Sequence, residues 1–189
     1  MAGLVVPDPR YQRSFLAAVE EVCGAHEDER YAGLTVIGQI GDFPGESFTA
    51  EELKDADTFS AYTRRLRTLA DHSAWLPDGI VPATYLWWVD GEEYLGRLSI
   101  RHSLTPWLRD FGGHIGYVVR PSARGRGHAQ AMLAASLPVA HDLGIDLALL
   151  TCDDTNPASR RVIEAAGGVF EDQREDKLRY WIRTGPAQR

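Results

Sequence analysis

The residues best placed to do chemistry cluster between Val119 and Ala129, where the chain reads V-R-P-S-A-R-G-R-G-H-A. A β-rich run from His114 to Val119 leads into the cluster, Pro121 stops that run, and from Ala129 onward apolar residues recur at helical spacing. A strand that turns through glycines directly into a helix makes an anion site. The first helical turn carries N–H groups with no partner inside the helix, and the macrodipole adds about half a positive charge. Glycines in the turn let phosphate oxygens come close to the backbone. Gly127 is expected to matter most, because a side chain there would intrude on the phosphate. Arg124 and Arg126 add cationic donors beside it, and Gly125, His128 and Ala129 complete the turn.

Spacing separates this motif from other phosphate sites. A Walker loop needs G-x-x-x-x-G-K followed by Ser or Thr, and the sequence contains no such run. A dinucleotide fingerprint needs Gly or Ala three residues after the second glycine, where this chain has Gln130.

The pattern that fits is R-x-x-G-x-A, Arg124 to Ala129, and on these residues the chain resembles the GNAT superfamily of N-acetyltransferases, whose signature is Q/R-x-x-G-x-G/A. The likeness extends to Val119-Arg120-Pro121 as V-x-P, and to Leu147–Cys152 followed by Asn156 and Ser159 as N-x-x-S, closed by Gly167-Gly168. It implies an α/β (α+β) fold: a mixed, mostly antiparallel sheet flanked by helices. Between the two central strands it implies a V-shaped splay, opened by a bulge in the strand ending at Val119. It further implies acetyl-CoA as cosubstrate. The Arg124–Ala129 loop would hold its pyrophosphate, backbone groups of Tyr117, Val118 and Val119 would pair with its pantetheine arm, and Asn156 and Ser159 would form the facing wall. One strand N–H would polarise the thioester carbonyl, an oxyanion-type contact. The implied reaction moves an acetyl group to a primary amine, on a small molecule or a peptide, by direct attack in a ternary complex and without a metal.

Two roles are left open by the likeness. Many family members carry a tyrosine seven residues after the asparagine to protonate the departing thiolate, and here that position is Ile163. Tyr180 is a candidate substitute. For the general base, His102 and His114 are the candidates, because histidine's unperturbed pKa suits the work. Each has a competing reading as a histidine satisfied by backbone hydrogen bonds. Asp153 and Asp154 read as turn residues that could relay a proton through water. Asn156, directly before Pro157, is equally suited to cap a helix, and Ser159 reads first as a structural residue.

The elements that must position these groups follow from periodicity. Phe15, Leu16, Val19 and Val22 predict a helix over Arg13–Cys23, and Leu53, Phe59, Tyr62, Leu66 and Leu69 predict one over Ala50–Leu69 capped by Thr49. Thr84–Val89 and Tyr94–His102, joined by Asp90-Gly91, predict a hairpin. Then come the strand His114–Val119 and a helix from Ala129 to Leu143 broken or kinked at Pro138. A buried strand Leu147–Cys152, a helix Asn156–Ala166 and a last strand Lys177–Arg183 complete the set. The organisation expected is one domain over 1–189, with a helical half over 1–80 on the acceptor side and a sheet with the acetyl-CoA site over 81–189.

Composition sets outer limits. The 189 residues, 44% hydrophobic and 25% charged, fit a folded domain with no apolar run of the roughly 20 residues a membrane helix needs. A net charge of −7 argues against nucleic acid as partner and weakly favours a cationic acceptor. Two distant cysteines, Cys23 and Cys152, and an N-terminus without a basic leader point to the cytoplasm. Assembly is left open, a homodimer included. Two rival functions fit the same fold: a non-catalytic acyl-CoA-binding module, suggested by Ile163, and a transferase of longer acyl chains.

Overall fold

In the computed structural model, which describes residues 1–25 and 29–185, the chain opens with strand β1 (Gly3–Val5) and helix α1 (Gln12–Gly24). Short strands β2 (Thr35–Ile37) and β3 (Glu46–Ser47) and helix α2 (Ala56–Thr68) follow. Strands β4 (Ala83–Asp90), β5 (Glu93–Arg101) and β6 (Ile115–Val119) lead to α3 (His128–Asp142), β7 (Leu147–Asp153), α4 (Pro157–Ala165), β8 (Val169–Arg174) and β9 (Lys177–Arg183). One antiparallel sheet has the order β1-β4-β5-β6 and another the order β7-β9-β8.

Two apolar cores lie on opposite faces of the first sheet. Leu98, Ile100 and Ile115 pack with Met132 and Leu133 of α3 and Ile163 of α4. On the other face Phe15 of α1 stacks on Trp87 at 5.3 Å between ring centroids, with Phe59 and Tyr62 of α2 beside them. Burial on both faces explains why β4 reads as a continuous apolar run, Leu86-Trp87-Trp88-Val89 all being buried.

The two sheets meet where β6 begins. The His114 N–H donates to the Leu149 carbonyl at 2.7 Å, and the Leu149 N–H donates back to His114 Nδ1 at 2.9 Å. Gly113 permits the approach: its φ is +63°, and a Cβ there would stand 2.6 Å from the Leu149 oxygen. Beyond this point β6 and β7 belong to separate sheets and a cavity lies between them, which is the splay expected. The expected bulge in β6 is not, since its pairing with β5 keeps one register from Ile100↔Ile115 to Gly96↔Val119, and the irregular step falls between Trp88 and Val89 of β4.

Other expectations are corrected. Thr49 forms a capping box with Glu52 on a separate 3-10 turn, Glu52–Lys54, while Asp55 caps α2 by accepting from the Thr58 N–H at 2.8 Å. Helix α3 runs unbroken past Pro138. That residue and Ala134 are exposed, so water can take the carbonyl that proline leaves unbonded, while Leu133 and Ala140 hold the helix to the core. Strands β1, β2, β3 and β8 lack a legible signal: three are two or three residues long, and β8 is an edge strand with Glu171, Asp172 and Arg174 and little burial. Strand β1 pairs with β4, so the first residues belong to the same sheet as the hairpin.

His114 makes the junction pH-sensitive. Burial, reinforced by the nearby Arg101 and Arg109 charges, pulls its pKa from 6.5 to about 4, which keeps Nδ1 unprotonated and able to accept from Leu149. A depressed histidine pKa contributes stability that is full above 6.5 and is lost as pH falls toward 4. Chemical denaturation across that window is expected to show up to about 3 kcal/mol more loss for the wild type than for His114→Asn, which keeps an acceptor there. Parallel stability curves would show that the ring does not supply the junction's acceptor.

Candidate active site

The glycine loop is built by its neighbours before it can bind anything. After β6 a 3-10 turn, Pro121–Ala123, carries the chain to Arg124–Gly127. Helix α1 holds this turn from behind: Glu21 accepts from Arg120 Nε at 3.1 Å, from the Ser122 N–H at 3.0 Å and from the Ser122 hydroxyl at 2.9 Å. Burial opposes ionisation of Glu21, yet the bonds from Arg120 and Ser122 outweigh it and hold the carboxyl below its ordinary range. Arg120 is itself buried, and its Nη1 donates to the Tyr94 carbonyl at 3.1 Å.

Gly127 is the N-cap of α3 with φ +81° and no side-chain cap, so the first N–H groups of α3, those of His128, Ala129 and Gln130, have no acceptor within the helix. The first helical bond is the Ala131 N–H to the Gly127 carbonyl at 3.0 Å. A Cβ at Gly127 would meet no atom within 4 Å, so glycine is demanded by the left-handed backbone, and the space above it is open to an anion. The Trp88 indole N–H donates to His128 Nδ1 at 3.2 Å and fixes that ring against the sheet.

A cavity of about 670 Å³ lies over the loop, between Gly125, Gly127 and His128 on one side and Asn156 and Val162 on the other. It is also lined by Arg124 and Ala129, but not by Arg126, which is exposed. A second cavity, of about 310 Å³, lies in the gap between β6 and β7, between Arg101 and Gly116 on one wall and Thr151, Cys152 and Asp153 on the other. The two meet, sharing Tyr31, Tyr117, Val118, Asn156 and Ser159.

The register of β6 decides which backbone groups face this junction. Arg120 N–H donates to Leu95 O and Arg101 N–H to His114 O, at 2.9 and 2.8 Å. With antiparallel alternation, Gly116 and Val118 therefore pair with β5, while Tyr117 and Val119 turn their N–H and C=O groups toward the gap. Val118 thus offers a side chain rather than a backbone edge. The Val119 carbonyl already accepts from Arg124 Nε at 2.9 Å. Asn156 is both cap and wall: Oδ1 accepts from the Ser159 N–H at 3.0 Å, which leaves its amide N–H groups to donate elsewhere. Ser159 Oγ and the Tyr117 hydroxyl lie 2.9 Å apart, and burial pushes the Tyr117 phenol up to about 12.

His102, His114 and Tyr180, the sequence candidates for proton transfer, line neither cavity. His102 is held between Thr84 Oγ1 at 2.8 Å and His72 Nε2 at 3.0 Å. Tyr180 is buried in the core and donates to Glu164 at 3.3 Å. Ile163, at the position of the usual acid, is fully buried. Asp153 is paired with Lys177, and Asp154 accepts from Gln173 at 3.2 Å. Burial, then Asp153, pushes the Cys152 thiol up to about 11, so it stands in the cavity wall as a neutral thiol.

Tyr31, Arg97, Arg101 and the Glu21–Arg120 clamp were not singled out by sequence reasoning. A signal for two of them exists: in R-L-S-I-R, Arg97, Ser99 and Arg101 alternate with Leu98 and Ile100, and all three polar residues line the second cavity.

Comparison with known proteins gives the family and the fold. The family model for the acetyltransferase (GNAT) domain matches residues 44–169. The chain therefore belongs to the GNAT acetyltransferase family, and is an acyltransferase. Among solved structures it is similar to RimJ from Mycobacterium smegmatis in complex with CoA-disulfide, at 19% identity and TM-score 0.62, covering 96% of this chain and 81% of that one. RimL, a ribosomal L7/L12 alpha-N-protein acetyltransferase in complex with coenzyme A, matches at 16% identity and TM-score 0.61, covering 96% and 93%. The microcin C7 self-immunity acetyltransferase MccE, in complex with acetyl-CoA and AMP, matches at 11% identity and TM-score 0.59, covering 96% and 92%. At these identities the likeness is one of fold. No curated protein sequence matches the chain.

The double use of Asn156 can be separated by mutation. Asn156→Asp keeps a cap acceptor and should retain the melting temperature, yet weaken CoA binding about tenfold or more by exchanging a donor for a carboxylate. Asn156→Ala should lose about 1 kcal/mol of stability as well. Calorimetric titration with CoA reads the first effect and thermal unfolding the second; unaltered CoA affinity in Asn156→Asp would leave the residue as a cap alone.

Proposed function

We propose that the chain is an acetyl-CoA-dependent N-acetyltransferase that acetylates a primary amine by direct attack within a ternary complex. The observation that supports this most is the meeting of two cavities at Tyr117, Val118, Asn156 and Ser159. One ends at the anion-ready start of α3; the other opens between β6 and β7. A cosubstrate anchored by Arg124, Gly125, Gly127, His128 and Ala129, with its arm along β6, brings its thioester to the junction. An acceptor entering the second cavity meets it there. The acceptor-side wall includes Tyr31, from the 1–80 half.

The Tyr117 N–H, turned toward the gap, is the group for the thioester oxygen, because Tyr117 borders both cavities while Val119 borders the first alone. The amine nitrogen attacks the carbonyl carbon, the nitrogen then gives up its extra proton to water, the C–S bond breaks, and the thiolate takes a proton. With Ile163 unable to give one, the donor in this reading is the Tyr117 hydroxyl, which is protonated, joined to Ser159 Oγ and carried by a residue that lines both cavities, and water re-protonates it. No base need line the site. The Arg101 charge in the second cavity, bonded only to neutral carbonyls, disfavours a further positive charge, so the acceptor ammonium sheds its proton to water before attack.

Thiol release from acetyl-CoA, measured with amino acids, peptide N-termini, aminoglycosides and polyamines, tests the reaction. At least one amine should be turned over, with kcat/KM rising with pH toward the amine's own pKa and no break near 6.5, the ordinary histidine value. Tyr117→Phe should lower kcat about 10²-fold or more with little change in CoA affinity. Stabilisation by CoA without turnover of any amine would favour the binding module instead.

A further inference from the structure

Two arginines and a lysine stand in the wall of the second cavity among the described residues, against one carboxylate, Asp153. That carboxylate is already engaged, because Lys177 pairs with both Asp153 and Asp176. Arg101 is different. Its Nη1 donates to the carbonyls of Gly112 and Gly113 at 3.0 and 3.1 Å, which pins the guanidinium at the closed end of the gap. Among the described residues no carboxylate lies within ion-pair distance of it. Arg97 stands on the same face of β5, and its charge adds to the field there.

A partly buried guanidinium that bonds only to neutral carbonyls holds a desolvated charge, and burial pulls the Arg101 pKa down from its ordinary value. Such a group is expensive to keep unless a bound anion completes it, and its fork geometry suits the two oxygens of a carboxylate or phosphate. The position is informative too. Leu98 pairs with Tyr117, and Arg101 lies three residues further along β5, about 10 Å from that rung at ~3.4 Å per residue. The anion would therefore lie deeper in the gap than the reacting amine, on the same molecule. The whole chain carries −7, so the cationic wall is a local feature and runs against the weak expectation, from net charge, of a cationic acceptor.

We infer that the acceptor bears an anionic group, a carboxylate or a phosphate, in addition to its amine, and that Arg101, flanked by Arg97, receives it. The inference rests on the transferase reading and names the substrate class of that site. It disfavours polyamines, which would bring two or more positive charges into the gap.

The test uses the full chain with saturating acetyl-CoA and acceptors in matched pairs. 6-Aminohexanoate and 8-aminooctanoate, long enough to span the two positions, are compared with their amides, 6-aminohexyl phosphate with 6-aminohexanol, and spermidine is included. The acids should exceed their neutral partners at least tenfold in kcat/KM, mostly through KM, and the carboxylate and phosphate pairs show which anion is preferred. Arg101→Gln should remove most of that preference, and Arg101→Lys should restore part of it. A second measurement does not depend on turnover or on a variant that folds. With CoA present, propionate or methyl phosphate should raise the wild-type melting temperature, while propionamide should not. Turnover with equal rates for acids and neutral partners, or a preference that survives in Arg101→Gln, would overturn the inference while leaving the transferase reading intact. Absence of turnover on every amine would remove the transferase reading; anion stabilisation lost in Arg101→Gln would then still support the subsite, and no stabilisation by either anion would sink it.

Discussion

The site depends on one reciprocal contact, in which His114 donates its backbone N–H to Leu149 and accepts the Leu149 N–H through its ring. A second ladder bond beyond it would zip β6 to β7 and close the gap. A weaker contact would let the sheets part. The histidine side chain supplies what a backbone carbonyl would supply in a continuous sheet, so the strands are joined at one end and free at the other. Gly113 lets the backbones come near enough for this, and Arg101 ties off the same turn through the Gly112 and Gly113 carbonyls. The group that closes the gap therefore also charges it.

Once the gap exists, alternation along β6 decides what it can do. Every second residue spends its backbone on β5, which leaves the edge groups of Tyr117 and Val119 for a ligand, and Arg124 has taken one of those. The end of the site at the α3 N-terminus is set by a different device. Glu21 of α1 binds Arg120 and Ser122, so a helix from the first part of the chain fixes the turn that presents the α3 N-terminus. Anion binding at a helix start needs unbonded N–H groups held still, and this clamp holds them without filling the space in front.

Much of this was legible in the sequence where chemistry leaves a local mark. The Arg124–Ala129 loop, the Asp90-Gly91 hairpin and Asn156 before Pro157 each carry a backbone requirement that few residue types meet. The long helices and strands carry a period. What was not legible depends on partners far along the chain. Nothing near His114 announces Leu149, nothing near Arg120 announces Glu21, and β1 is a strand only because β4 is beside it. Thr49 and Asp55 show the intermediate case. Both are good caps, and only packing decides that Thr49 starts a short turn while Asp55 starts α2. Net charge is uninformative for a related reason, since a sum over 189 residues says little about one wall that carries Arg97 and Arg101.

Ile163 illustrates how a role can move without the architecture changing. Its side chain is fully enclosed in the core beneath α4, where an ionisable hydroxyl would be desolvated and would need a partner. In the proposed mechanism the hydroxyl comes instead from the opposite wall, on Tyr117 of β6, with Ser159 of α4 as its hydrogen-bond partner. Their 2.9 Å bond joins β6 to α4, and both residues line the two cavities. A proton donor assembled from both walls is in register only when α4 is docked against β6. On that proposal the proton-transfer geometry and the width of the gap would be set by the same packing, which a tyrosine carried on α4 alone would not require.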